Sequence, residues 1–258
     1  MVVLLGMMWL LSSTIQAEAI LRRRQEDFVA AVSHELKSPL ASLQLTAETM
    51  GRRPGDVESR NRHVSRILID VRRLSTMVSN ILDSSRLARG DIELNPESIS
   101  LKSGVDIEIG NLLDRASVRG VLIESEVAED IKILADRSTV RVVVRNLLEN
   151  ALHATAAAGG GTIRLAAEVK SNSVALVVSD DGIGFPPSQS TKIFETFFRV
   201  GTEINRATPG SGLGLAIVRR YLELDGGRID ASSEGDGFGA TFTVQWRRAP
   251  ETLAGGVT

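Results

Sequence analysis

No cysteine occurs anywhere in the 258 residues. That excludes disulfides, thiolate catalysis and cysteine-held metal, and it fits a reducing compartment. Histidine is almost as scarce. His34, His63 and His153 are the full set, and they are not spaced as a metal-ligand cluster. A charge excess of one sign is also missing: 30 basic and 32 acidic residues leave a net charge of −2. Nothing therefore points to bulk nucleic-acid binding. The first 15 residues carry no charge at all, and Glu18 is the first charged residue. With 43% hydrophobic and 24% charged residues, the composition is ordinary for a globular chain of one or two domains.

The uncharged start is short against the roughly 20 residues of a membrane helix, and reaches that length if residues 16–20 lie near the interface. A cleaved signal peptide is the rival, because Ala17-Glu18-Ala19 imitates a small-residue cleavage site. No positive residue precedes the run and Arg22-Arg23-Arg24 follows it. The expectation is a transmembrane anchor over 1–20, or a truncated second membrane helix of a longer receptor, in an inner or plasma membrane. The catalytic bulk then lies on the cytoplasmic side.

A long helix over 22–50 follows. Val29, Val32, Leu36, Leu40, Leu43, Ala47 and Met50 recur at three- and four-residue steps, which predicts one buried face. His34 lies about 200° around the axis from Leu36, away from that stripe. Glu35 adjoins it, Ser38 shares its face one turn on, and Pro39 is placed to kink the helix. An exposed imidazole, a carboxylate and a local kink make a candidate phosphoryl-accepting site; a surface histidine beside an ordinary proline kink is the plainer alternative. Gly51-Arg-Arg-Pro-Gly-Asp56 breaks the helix. A second helix places Val64, Ile67, Leu68, Val71, Leu74, Val78, Ile81 and Leu82 on one face, with His63 on a solvated one. Two helices alone bury too little apolar surface, so a homodimer with a four-helix core is expected.

Residues 91–100 read as a polar junction. Beyond it a helix is predicted over 101–118, strands over 121–124 and 131–134, a helix capped by Asp136 and running to 156, and a strand pair over 162–169 and 174–179. A helix over 212–224 and strands over 228–232 and 240–246 close the pattern. Helices layered on a mixed sheet are the expected architecture, with a disordered tail over 249–258. The fold class is α+β. Its predicted parts are the membrane anchor over 1–20, a helical hairpin over 21–90 and an α/β sandwich over 97–248.

Three stretches of the sandwich carry candidate chemistry. Asn146-Leu-Leu-Glu-Asn150 sets two carboxamides four residues apart on one helix face, uncharged hard-oxygen ligands suited to Mg²⁺. A solvated helix face is the alternative. Asp180-Asp-Gly-Ile-Gly184 follows a strand; Gly182 and Gly184 permit a close turn, and the carboxylate suits an adenine amino group. A plain turn is the alternative there. Gly210-Ser-Gly212-Leu213-Gly214 opens a helix and offers backbone N–H groups to phosphate. A strand does not directly precede it, which argues against a dinucleotide fold. Between the glycine stretches, Ile193-Phe-Glu-Thr-Phe-Phe-Arg199 reads as a mobile lid, with core packing as the alternative; Arg199 is a plausible phosphate partner. Gly235-Asp-Gly-Phe-Gly-Ala-Thr241 reads as a structural hairpin.

His34-Glu35-Leu36-Lys37-Ser38-Pro39-Leu40 resembles the H box of sensor histidine kinases. The asparagine, first glycine, phenylalanine and second glycine stretches resemble that family's remaining boxes, in order, over 22–246. The resemblance implies a dimerisation and histidine phosphotransfer hairpin joined to a Mg²⁺-ATP domain of the type shared with gyrase and the heat-shock chaperone ATPases. It implies transfer of the γ-phosphoryl to His34 and then to an aspartate of a response regulator receiver domain. Glu35 falls at the proton-accepting place. Asn146, Asn150, His153, Asp180, Gly182, Gly184, Arg199, Gly210, Gly212, Leu213 and Gly214 fall at nucleotide-binding places. Ser38 stands where Thr or Asn is usual for dephosphorylating the regulator, His153 where Lys is usual, and Ala154 where an aromatic is usual. Those departures leave open a dimeric, ATP-gated interaction module without autokinase activity. A gyrase-like DNA ATPase fits poorly, since the His34 hairpin has no place in it.

Overall fold

The structure is a computed structural model. It describes Met7, Val32, Ser33 and residues 36–52, 56–90, 92–196, 198–200 and 212–250. The expected anchor over 1–20, apart from Met7, and the tail beyond Pro250 lie outside the described residues, as do His34, Glu35, Phe197 and Gly210. Among the described residues no helix is long and apolar enough to cross a membrane. The chain divides into two compact units, Met1–Ser79 and Asn80–Thr258.

The first unit is helical. Helix α1 covers residues 36–52 and its hydrogen-bonded run continues through Pro39. Helix α2, Val57–Arg89, opens where the Asp56 carboxylate accepts from the Ser59 N–H at 2.7 Å. The predicted apolar faces are present but are not buried within one chain. Leu40 is 53% exposed, Leu68 47% and Val71 44%. Two helices have too little surface of their own to cover both stripes. His63, expected in solvent, is half-buried.

The second unit takes in the last turns of α2 and a two-layer α/β sandwich. Asp83 of α2 accepts from the Tyr221 hydroxyl at 3.4 Å and lies 3.9 Å from the Arg145 guanidinium. The junction expected over 91–100 is part strand: β1, Glu97–Ser100, pairs antiparallel with β3, Lys132–Ala135. Only Ile99 of β1 is buried, opposite Ile133, so its polar sequence gave no alternation to read. The helix predicted over 101–118 is two: α3, Leu101–Gly110, and α4, Leu113–Val118, divided at Asn111 and Leu112.

Among the described residues seven strands form one mixed sheet. The order is β1-β3-β7-β5-β4-β2, with β2 as Val121–Glu126, β4 as Gly161–Val169, β5 as Ser173–Asp180 and β7 as Ala240–Arg248. Strand β6, Arg228–Ser232, pairs with β7 beside β3. Only β2 and β4 run parallel; the other pairings are antiparallel. Alternate residues Ala240, Phe242, Val244 and Trp246 of β7 are buried, as a period of two requires. Helix α5, Arg137–Ala157, packs over β4 and β5 between α3 and α6, Gly214–Leu224. Asp136 caps it as predicted, accepting from the N–H groups of Ser138 and Thr139. Val143, Val144, Leu147, Leu148, Ala151 and Leu152 are fully buried, so α5 is the central core helix and has little freedom to move what it carries.

Candidate functional site

The rigid part of the site begins on α5. Asn146 is only 9% exposed, which removes the solvated-face alternative for it. Its Nδ2 donates to its own helix at Val142 O, 2.7 Å away, so Oδ1 is left to face outward. That oxygen faces the start of α6: a Cβ added to Gly214 would lie 2.8 Å from it. The asparagine and second glycine stretches, 60 and more residues apart in sequence, thus meet. Asn150 and His153 are half-exposed on the next turn of the same helix.

The loop 180–184 leaves β5 beneath the end of α5. Asp180 is buried; its Oδ1 accepts from the Gly182 N–H at 2.9 Å, while Oδ2 has no hydrogen-bond partner among the described residues. Burial pushes this carboxyl up to about 6, against the pull of the Gly182 and Ala240 N–H groups. An orphaned carboxylate oxygen is costly unless a ligand donates to it. Gly182 is required by space: a Cβ there would sit 2.5 Å from Asp180 Oδ1 and 2.7 Å from the Ala154 Cβ. The small side chain of Ala154 is therefore matched to the glycine opposite it, and the Ile183 N–H donates to Ala154 O at 3.3 Å. Thr155, beside Ala154, is also buried, and its hydroxyl has no partner among the described residues.

The hairpin read from the sequence braces this loop, a contact the sequence did not announce. The hairpin 233–239 runs back along it, with Gly237 N–H donating to Ile183 O at 2.7 Å and Gly239 N–H to Gly182 O at 3.0 Å. Ser233 ties the two together: its hydroxyl accepts from Phe185 N–H at 3.1 Å and donates to Gly239 O at 2.6 Å. A lone serine at a strand end carries no pattern that announces such a role.

At the other side, α6 starts at Gly214 with no side-chain cap among the described residues, and Leu213 before it is fully buried. A helix start leaves its first N–H groups without intrahelical partners and carries positive potential. Gly212 takes a positive φ of 67° at the turn into the helix. The lid expected over 193–199 is corrected in part. Ile193 and Phe194 sit in the core, and Phe198 packs against it half-buried. An aromatic that fills the core cannot also be the moving face of a lid. Arg199 is half-exposed at the end of this described segment. Ser38 is exposed on α1, in the other unit.

Comparison with known proteins fits this arrangement. Residues 135–250 match the histidine kinase-, DNA gyrase B- and HSP90-like ATPase family, and residues 24–90 match the His Kinase A phospho-acceptor domain. The chain belongs to the sensor histidine kinases. It is 31% identical over 220 residues to the sensor-like histidine kinase SenX3 of Mycobacterium tuberculosis, covering 85% of this chain and 53% of that protein. The chain thus spans about half the length of the curated relative. Among solved structures, full-length ShkA in complex with AMPPNP is similar with a TM-score of 0.60 at 27% identity, over 87% of this chain and 46% of that one. Histidine kinase ThkA in complex with the response regulator TrrA gives 0.64 at 25% identity, over 88% of this chain and 62% of that one.

Proposed function

We propose that this chain autophosphorylates His34 from Mg²⁺-ATP and passes the phosphoryl group to an aspartate of a response regulator receiver domain. The observation that carries the nucleotide reading is the Asp180 cradle: a buried carboxylate oxygen without a donor among the described residues, against a glycine that leaves no room for a side chain. An adenine amino group is a donor of the right kind. The uncapped start of α6, with Gly212, Leu213 and Gly214, receives the phosphates, and Gly210 and Arg199 complete that end. The donor set also fits a hard cation shared with phosphates. Asn146 Oδ1 and Asn150 are neutral oxygen ligands, and the phosphates bring the charge. When bound, Mg²⁺ neutralises charge that develops on the transferring group.

The chain's own residues then divide the work. Asp180 and Gly182 fix the base, the α6 amides and Arg199 hold the phosphates, and His153 supplies a cation where its charge state allows. A nitrogen of His34 attacks the γ-phosphorus; an N–P bond forms, the bond to the β-phosphate oxygen breaks, and ADP departs. Glu35 accepts the imidazole proton. Ser38, exposed beside the acceptor helix face, serves water-driven dephosphorylation of the regulator. The domain division is 1–20 anchor, 21–90 hairpin, 97–248 catalytic domain and 249–258 tail. The anchor holds the chain in the inner or plasma membrane with the catalytic part in the cytoplasm. The open apolar stripes of α1 and α2 support a homodimer.

The nucleotide reading is tested by Asn150→Asp. A new carboxylate beside the phosphates adds repulsion, so calorimetric affinity for Mg²⁺-ATP falls and labelling slows with it. Unchanged affinity and labelling in that variant would move the cation elsewhere.

A further inference from the structure

We infer that Arg115 and Glu149 are a positioning pair that holds His153 at the phosphate side of the site, an inference that rests on the nucleotide reading above. Glu149 directly precedes Asn150 and lies one helical turn before His153 on α5. Arg115 of α4 grips both of its oxygens, Nη1 to Oε1 at 2.5 Å and Nη2 to Oε2 at 2.8 Å. The side chains are 32% and 22% exposed, so this is a fork geometry held in a half-buried place rather than a loose surface pair. Burial pushes the Glu149 carboxyl up. The Arg115 guanidinium, then His153 and Arg119, outweigh burial and hold the carboxyl below its ordinary range. His153, four residues on from Glu149, stands on the same face of α5 as this gripped carboxylate. Arg119, at the end of α4, completes the cluster: burial and the neighbouring Arg115 push it down while Glu149 pulls it up.

The arrangement has a direction. Arg115 is anchored on a separate helix, so Glu149 is fixed from the α4 side and offers its remaining field to His153. The imidazole is thereby kept on the side of α5 that carries Asn146 and Asn150, where a nucleotide triphosphate needs a cation and where the family's usual Lys is missing. A merely structural tie between α4 and α5 has no preference for which helix bears the carboxylate. A positioning pair does, because the reversed pair sets a cation against His153.

The test uses the full chain, titrated with Mg²⁺-ATP by calorimetry. Wild type, Glu149→Gln and the double reversal Arg115→Glu with Glu149→Arg are each measured with and without His153→Gln. Glu149→Gln is expected to weaken binding by about three- to thirtyfold, the reversal is expected not to restore it, and both effects are expected to shrink below about twofold once His153→Gln is present. Restored affinity in the reversed pair, or an undiminished loss with His153→Gln, would overturn the inference. If Glu149→Gln does not fold, Arg115→Lys keeps the charge but loses the fork. It should show the same His153-dependent loss in smaller measure, and a loss independent of His153 counts against the pair. A proton resonance of the His153 ring, assigned by its absence in His153→Gln, should move on ATP addition in wild type and move less in Arg115→Lys; equal movement also overturns the inference. Wild type that binds no Mg²⁺-ATP would instead remove the nucleotide reading itself.

Discussion

Asp180 shows how much one side chain decides. Folding raises its carboxyl from 3.8 to about 6, chiefly by burial. The sign follows from linkage: the protonated form favours folding below pH 3.8, and that stabilisation is lost as pH rises through about 6. Asp180→Asn removes the buried charge while keeping an acceptor for the Gly182 N–H. Its stability relative to wild type should therefore improve by about 1–3 kcal/mol between pH 4.5 and 8 in denaturant titrations. The same variant replaces the free acceptor with a donor, so Mg²⁺-ATP affinity at pH 7.5 should fall by about tenfold or more. A flat stability difference across pH, or unchanged affinity, would separate Asp180 from these roles. Asp180 and its glycines were legible because a carboxylate and two glycines after a strand form a local pattern. Ser233 and Glu149 were not. Each matters through a partner far away in sequence, Phe185 for one and Arg115 for the other, and no spacing rule reports a tertiary hydrogen bond or a fork reaching over from another helix.

The elements were legible in proportion to how periodic they are. Helix α5 and strands β5 and β7 show their burial in their spacing, and the Asp136 cap was readable from its place before the apolar run. Strand β1 was not, since it buries one residue of four and owes its existence to pairing with β3. The division of α3 from α4 was missed because apolar residues continue across the break. Asp136 also joins elements: its Oδ2 accepts from Asn95 N–H at 2.8 Å, while its own N–H donates to Asp225 at 3.1 Å. Burial pushes the Asp136 carboxyl up, but the Ser138, Asn95 and Thr139 donors prevail and hold it low. Its contribution is thus present above the unfolded value and lost as pH falls through the lower folded one. Asp136→Ala should cost about 1 kcal/mol from the cap alone. Hydrogen exchange should quicken in the first turn of α5 and at Asn95. Unchanged exchange at Asn95 would show that the junction does not depend on this carboxylate.

At the scale of the molecule, the apolar stripes of α1 and α2 are left without cover in a single chain among the described residues. Val64, Leu68, Val71 and Val78 repeat along α2 at bundle spacing, each more than 40% exposed. If a second chain covers them, Val71→Glu buries an unpaired charge at that seam. Dimerisation measured by analytical ultracentrifugation should then weaken by about tenfold or more. An unchanged dimer would place the interface elsewhere. Phosphoryl transfer itself is most directly tested by incubating the full chain with γ-labelled ATP and Mg²⁺. Wild type should take up label that is lost in acid and kept in base, as phosphohistidine is. Glu35→Gln should slow labelling by about 10²–10⁴-fold if it accepts the proton. His34→Gln should bind Mg²⁺-ATP normally and take up no label at all. Label that persists in His34→Gln, or that survives acid, would contradict the assignment of His34 as the acceptor.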